Sequence, residues 1–160
     1  MGDTKTNVMR LLDQKKIAYR AHSYPHGADA VDGLTVASLI GRDPACVFKT
    51  LVARGASRNC YVFVIPVAAE LDLRKAARAT GEKSVAMVHV NELPGLTGYV
   101  RGGCSPVGMK KRYPVFIDES ALSQSTMLVS AGRIGSQVEL SPKDLIAFCA
   151  AQTAELITEE

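Results

Sequence analysis

The amino-acid sequence predicts an α+β domain with a mixed or antiparallel β-sheet. Strand-like segments follow one another directly more often than they alternate with helical segments, whereas a doubly wound fold would alternate strand and helix throughout. The chain has 160 residues, 47% of them hydrophobic, which suits one domain with a proper core. We therefore expect residues 1–160 to form a single domain.

The chain is predicted to begin with a helix, followed by a strand. Thr4 or Thr6 can cap this helix. Its apolar face holds Val8, Leu11 and Leu12. Residues 17–24 alternate apolar and polar side chains, which is a strand pattern. A turn-rich loop follows, after which Thr35 is placed to cap a short helix that Gly41 closes.

The middle of the chain predicts a hairpin. Segments 47–53 and 60–67 are rich in β-branched and aromatic residues and are separated by a short turn, so they should pair antiparallel. Asp72 can then cap a helix that Gly81 ends.

The second half is predicted to add further strands and a last helix. The remaining strand-like segments are 84–90, 114–117, 127–130 and 137–140. Residues 91–96 read as a short helix or turn, and 97–108 are punctuated by glycine. Ser141 and Pro142 mark a helix start, because a cap is followed by proline at the first helical position, and the buried face of this helix is expected to reach Leu156.

Composition excludes several classes of protein. Lys and Arg number 19 against 16 Asp and Glu, and this net charge of +3 is too small for a polybasic protein. The mean hydropathy of +0.06 excludes a disordered chain. Tryptophan is absent and aromatic residues make up 6%, which argues against a base-stacking platform as the main means of binding nucleic acid.

The sequence predicts neither a membrane segment nor a metal site. No apolar run reaches the roughly 18 residues that a membrane helix needs, and the N-terminal residues lack the apolar core of a secretory signal. The four cysteines, at 46, 60, 104 and 149, lack the CxxC spacing of zinc and redox sites. We therefore expect a cytoplasmic protein with reduced thiols and with no metal or cofactor.

A glycine-rich loop over residues 102–108, GGCSPVG, is the densest candidate for chemistry. Gly102 and Gly103 permit a positive φ and a close approach to a ligand, and successive N–H groups in such a loop can bind an anion or an oxyanion. A tight turn between two strands explains the same residues. Cys104 within the loop is a candidate nucleophile, although no histidine stands beside it in the sequence.

Lys49 lies inside the apolar segment VFKTLV. Strand alternation puts it on one face with Val47 and Leu51. If that face is buried, Lys49 points into a pocket and needs a partner or a substrate. If the face is solvated, Lys49 is an ordinary surface lysine.

Polar residues also recur at period two over His22, Tyr24 and His26. They can line a polar pocket or carry protons, or they can form a half-buried strand edge. The cluster 110–112, Lys-Lys-Arg, directly follows the glycine loop. It would meet phosphates if it lies beside a pocket, and is otherwise a solvated basic turn.

Four segments, taken in chain order, resemble the YbaK/EbsC family, which is related to the editing domain inserted in bacterial prolyl-tRNA synthetases. They are HSYPH (22–26), VFKTL (47–51), GGCSPVGMKKRYPVFID (102–118) and SAGRIGSQVEL (130–140). The resemblance covers nearly the whole chain and is strongest to the free-standing Cys-tRNA(Pro) deacylase branch. It implies a compact α+β domain with a curved mixed sheet or distorted barrel flanked by helices.

The resemblance also implies roles for individual residues. Lys49 would hold the aminoacyl end and orient the ester. The N–H groups of Gly102 and Gly103 would bind the ester carbonyl or the terminal ribose, and Pro106 would complete the loop. Tyr24 takes the place of the family's pocket tyrosine.

The other substrate contacts implied by the resemblance are His22, Cys104, Ser105, Ser130, Gly132 and Gln137. Gln137 stands where some members carry an aspartate, which puts an acidic role there in doubt, and Ser130-Ala131-Gly132 replaces the usual SGG. Contacts to tRNA are expected from Lys110, Lys111 and Arg112.

The implied activity is trans-editing, the release of cysteine from mischarged Cys-tRNA(Pro), with prolyl-tRNA synthetase as a candidate partner. Cysteine is close to proline in size, so a synthetase pocket discriminates poorly and a second site must clear the product. The substrate's own thiol would attack the ester, which requires no protein nucleophile, metal or cofactor, and makes the enzyme a hydrolase or, if the thiol cyclises, a lyase. Deacylation of another mischarged tRNA such as Ala-tRNA(Pro), and a non-catalytic module that binds the tRNA end, are the alternatives.

Overall fold

The computed structural model describes residues 5–159, and the α+β prediction is confirmed. The described helices are α1 Asn7–Gln14, α2 Gly33–Ile40, α3 Leu73–Thr80, α4 Leu93–Thr97 and α5 Pro142–Cys149. The strands are β1 Arg20–Ser23, β2 Phe48–Gly55, β3 Cys60–Pro66, β4 Val85–Met87, β5 Val115–Asp118, β6 Met127–Ser130, β7 Ser136–Leu140 and β8 Gln152–Ala154.

The strands form two sheets. One sheet has three antiparallel strands in the order β1-β7-β6. The other has five strands in the order β4-β2-β3-β5-β8, antiparallel over its first three strands and parallel over its last three. A single parallel bridge from Val47 to Leu128 brings the sheets together. Within the described residues the sheets do not close, so a mixed sheet is formed and the distorted barrel is not.

The β2–β3 hairpin is confirmed and separates two apolar clusters. Alternation along β2 sends Phe48 and Val52 into the larger cluster, which also holds Met127 and Val138 from the three-stranded sheet. On the opposite face, the smaller cluster packs α3 against the hairpin and β5. Its aromatic centre is Tyr61, Phe63 and Phe116. Because the larger cluster draws on both sheets, its packing fixes the position of the three-stranded sheet beside β2.

Most helix ends follow the sequence signals. The Thr6 Oγ1 atom accepts from the Met9 N–H at 3.2 Å, while Thr4 lies outside the described residues. Asp72 caps α3. Gly41 and Gly81 end α2 and α3 in the left-handed conformation.

Other details of the prediction are wrong. Asp32 caps α2 rather than Thr35, whose N–H and hydroxyl both donate to the Asp32 carboxylate, at 3.0 and 2.8 Å. The helix α5 ends at Cys149 because Ala150 turns left-handed, so Leu156 is not on its face. Leu156 lies after β8, a strand that the sequence pattern does not predict, and is buried beside Phe63 in the smaller cluster.

Asp118 fastens the chain after β8 to the core. This carboxylate is buried, and it accepts from the Leu156 N–H at 3.0 Å and from the Ser120 N–H at 3.1 Å. Removing it leaves two donors without a partner, so Asp118→Ala should lower the free energy of unfolding by about 2–4 kcal/mol in urea titrations. The exposed neighbour Glu119 is the control, since Glu119→Ala should change it by less than about 0.5 kcal/mol. Equal losses would contradict this role.

Candidate active site

A cavity of about 1070 Å³ lies beside β2. Its walls come from the start of β2, the loop after β1, the glycine loop, and the facing residues of β6 and β7. Six residues singled out by the sequence line it: Tyr24, Lys49, Gly102, Cys104, Ser130 and Gln137. Folding therefore gathers residues that are far apart in the chain at a single cavity.

The cavity lies where one edge of β2 has no neighbouring strand. The other edge pairs with β3 along the length of β2. The strand β4 pairs with β2 from Ala53 onward, and the bridge to β6 is made at Val47. The Val52 carbonyl accepts from Val88 on the β4 side, whereas the Val47 carbonyl accepts from Val67. Because backbone groups alternate along a strand, the N–H and C=O of Thr50 point to the gap between β4 and β6. The gap leaves these groups facing the cavity.

Lys49 projects into the cavity wall. Its face of β2 carries Leu51, which packs against the smaller apolar cluster, so the alternative of a solvated surface lysine is wrong. Burial lowers the pKa of Lys49, and the negative charge of Glu70 opposes this shift only in part. No carboxylate within residues 5–159 pairs with the Lys49 ammonium. It is a half-buried cation free to meet a ligand.

Two buried oxygen atoms in the cavity wall have no hydrogen-bond partner within the described residues. They are Thr50 Oγ1 and Gln137 Oε1. A buried acceptor without a partner costs free energy, so both oxygens are open to a hydrogen-bond donor that enters the cavity. Gln137 was predicted and Thr50 was not. The sequence carries one signal that could have identified Thr50. It is the single polar residue on a strand face that otherwise places Phe48 and Val52 in the larger core.

The glycine loop needs glycine because it packs tightly against two other segments. At Gly102, where φ is +87°, a Cβ atom would lie 2.7 Å from the Ala30 Cβ. At Gly103 it would lie 2.9 Å from the Arg133 Cα. A real Cβ essentially never comes this close to another atom, so the glycines let the loop, the segment after β1 and the 132–135 turn meet at the cavity.

The two glycines differ in what they offer a ligand. Gly102 lines the cavity, and its N–H makes no hydrogen bond within the described residues. The Gly103 N–H donates to the Val100 carbonyl at 3.0 Å and Gly103 does not line the cavity, so the expected pair of free donors is reduced to one.

Ser105, Pro106 and Gly132, which were also predicted as substrate contacts, are not brought to this cavity. Ser105 is buried within the loop, where its Oγ accepts from the Val107 N–H. Pro106 lies at a second cavity. Gly132 packs against Val8 of α1, and its N–H donates to Ser130 Oγ at 3.1 Å. These residues shape the wall from behind.

Tyr99, which the sequence pattern did not single out, holds the far end of the loop. Its hydroxyl donates to the Val107 carbonyl at 2.5 Å. A Cβ at Gly108 would contact the Tyr99 hydroxyl and a Cβ at Gly132 would contact its ring, so Tyr99 joins the loop to the turn after β6. Burial raises the pKa of Tyr99 to about 12, which keeps the hydroxyl protonated as a donor.

His22 belongs to a polar cluster next to the cavity and does not line it. Its Nε2 lies 2.8 Å from Glu139 Oε1, which also accepts from Arg42 at 2.7 Å. Thr126 donates to the other oxygen of Glu139. Burial favours protonation of Glu139, but the bonds from Thr126 and His22 and the Arg42 charge outweigh it and lower the pKa. The side chain of His22 is thus occupied, although its register partner Gln137 faces the cavity.

Cys104 lines the cavity as a neutral thiol. Burial raises its pKa to about 11, so almost no thiolate exists at neutral pH, which argues against the candidate nucleophile. No three His, Cys, Asp or Glu side chains in residues 5–159 are grouped so that they could hold a metal ion. None of the helices in that range is long and apolar enough to cross a membrane.

An α+β domain with an unpaired lysine, a glycine loop and unsatisfied acceptors around one cavity is built to bind a polar small group. Comparison with known proteins defines it further. A family model described as an aminoacyl-tRNA editing domain matches residues 29–148. The chain belongs to this family, whose members act on aminoacyl-tRNA.

Individual relatives agree with this assignment. The chain is 42% identical over 156 residues, 98% of its length, to EbsC of Enterococcus faecalis, named as a proposed Cys-tRNA(Pro)/Cys-tRNA(Cys) deacylase, of which it covers 95%. It is 30% identical over 112 residues to the uncharacterised YwhH of Bacillus subtilis, with 70% of this chain and 71% of YwhH covered. A solved structure described as a proposed trans-editing enzyme for prolyl-tRNA synthetase has a TM-score of 0.83 at 25% identity, covering 98% of this chain and 100% of its own.

Burial of Cys104 predicts a slow reaction of its thiol with alkylating reagents. A rise in pKa from 9.0 to about 11 lowers the thiolate fraction about 100-fold at neutral pH, so Cys104 should react with iodoacetamide at least about 100-fold more slowly in folded than in urea-unfolded protein. Mass spectrometry of the Cys104 peptide measures both rates. The folded-state rate should rise about tenfold per pH unit below pH 10. Similar rates in both states would contradict a buried thiol.

Proposed function

We propose that this protein is a trans-editing deacylase that releases cysteine from mischarged Cys-tRNA(Pro). The observation that carries the proposal is one cavity that holds the unpaired Lys49, the free N–H of Gly102 and the unsatisfied oxygens of Thr50 and Gln137. The name of EbsC, 42% identical, supports cysteine as the amino acid. We further propose that residues 1–160 act as one editing domain in the cytoplasm, with prolyl-tRNA synthetase as a partner.

Each group in the cavity has a part in holding the aminoacyl ester. The Lys49 ammonium and the Gly102 N–H stabilise the oxygen that gains negative charge when the ester carbonyl is attacked. The two unsatisfied oxygens accept from the α-ammonium group, a donor that every aminoacyl-tRNA carries. Tyr24 and Ser130 close the wall around the amino acid. At about 1070 Å³ the cavity also has room for the terminal nucleoside.

The substrate thiol supplies the nucleophile. Its sulfur forms a bond to the ester carbonyl carbon, the bond from that carbon to the ribose oxygen breaks, and the thiol proton passes to the ribose oxygen. The product of this step is the thiolactone of cysteine, and water then opens its carbonyl carbon–sulfur bond to give free cysteine. Holding the thiol against the carbonyl can contribute several kcal/mol, up to about 7–11 in well-oriented intramolecular reactions. The buried, neutral Cys104 is then a wall residue, and no protein nucleophile takes part.

Replacing Lys49 tests the site. Lys49→Met keeps the length of the side chain and removes its charge, so kcat/KM for release of labelled cysteine from Cys-tRNA(Pro) should fall about 100-fold or more. The exposed Lys83, which lines neither cavity, gives the control Lys83→Met, for which kcat/KM should be unchanged. Equal kcat/KM for both variants would show that Lys49 has no part in the reaction.

A panel of mischarged tRNAs tests the chemistry. If the substrate thiol is the nucleophile, Cys-tRNA(Pro) should be deacylated at least about 100-fold faster than Ala-tRNA(Pro), and Cys104→Ser should retain this activity. Comparable release of alanine would show that another mischarged amino acid is the substrate and would exclude thiol attack. Salt-sensitive tRNA binding without release of any amino acid would favour a non-catalytic module that binds the tRNA end.

A further inference from the structure

We infer that a second cavity, next to the basic cluster at 110–112, binds a nucleotide of the substrate RNA on the 5′ side of the aminoacylated end. This inference rests on the proposed function. The cavity has a volume of about 330 Å³, at the low end of the range for ligand pockets. Its lining includes Pro106, Lys110, Lys111, Arg112, Tyr113 and Phe148.

The lining combines apolar rings with unpaired positive charge. Phe148 and Tyr113 are partly buried against the larger core. The Tyr113 hydroxyl donates to the Leu96 carbonyl at 2.9 Å, so its proton is already used and the ring is the part that we assign to the ligand. The cations of 110–112 are exposed and have no ion pair within residues 5–159, and no aspartate or glutamate of that range lines the cavity. A flat apolar group that carries a phosphate fits these walls.

The glycine loop joins the second cavity to the first. Cys104 lines the first and Pro106 lines the second, and two residues of chain span at most about 7 Å. The Cys149 thiol lies 3.6 Å from the Pro106 carbonyl, which fixes the loop against α5. The two cavities are therefore close enough for an RNA whose terminal residue enters the first to place a preceding nucleotide at the second. A separate mononucleotide or an acidic peptide in the second cavity would not be linked to a group in the first cavity.

Binding of an RNA hexamer that ends in CCA, measured by fluorescence anisotropy over a range of salt concentrations, tests the subsite. Loss of three phosphate contacts in the triple variant K110A/K111A/R112A should reduce the slope of log K against log salt by about 2. The control R74A/R78A/K83A removes the same charge from exposed positions that line neither cavity, and its slope should be unchanged. Phe148→Leu keeps an apolar side chain but not the ring, and should weaken binding about fivefold or more.

Several results would overturn the subsite. These are equal slopes for both triple variants, unchanged binding by Phe148→Leu, and equally tight wild-type binding of polyglutamate or of free cytidine monophosphate. A kinetic comparison separates this inference from the proposed function. With K110A/K111A/R112A, KM for Cys-tRNA(Pro) should rise at least tenfold more than KM for the 3′-cysteinyl ester of adenosine, which fills the first cavity alone. If the wild-type protein cleaves neither ester, the proposed function fails, and the hexamer slopes still decide the subsite.

Discussion

The unpaired edge of β2 is the constraint on which the site depends. A strand inside a sheet normally satisfies its backbone groups on both sides. Here β4 pairs only from Ala53 onward, and the backbone pairing with β6 is limited to the bridge at Val47, just before β2. The gap exposes the backbone of Thr50 and admits the Lys49 side chain to the cavity. Longer pairing by either neighbour would fill the space where a ligand can bind.

Close packing at glycine provides the opposite wall. A side chain at Gly102 or Gly103 would collide with Ala30 or Arg133, so the loop can approach these segments only without one. Tyr99 and Ser105 then hold the loop through hydrogen bonds that never reach the cavity. This wall has no regular secondary structure, but these hydrogen bonds hold it on the side away from the cavity. The Gly102 N–H can therefore remain a free donor at a defined position.

The small net charge of +3 is consistent with a site that uses few cations. The proposed chemistry on the ester uses one cation, Lys49, at the first cavity. The other cations that bear on the proposal, at 110–112, are gathered at one small cavity. The scarcity of aromatic residues fits as well, since only Tyr113 and Phe148 serve that cavity and no extended stacking surface is required.

Local sequence patterns predicted the α+β class, the β2–β3 hairpin and most helix ends, because caps, alternation and turn residues act between near neighbours in the chain. The sequence also indicated, through resemblance, six of the residues that line the cavity. The three-dimensional contacts were needed to show that His22 turns to Glu139, that Thr50 stands unsatisfied at an open edge, and that β8 adds to β5. These outcomes depend on which distant segments meet, and contacts between residues as far apart in the chain as His22 and Glu139 leave no local pattern from which they could be predicted.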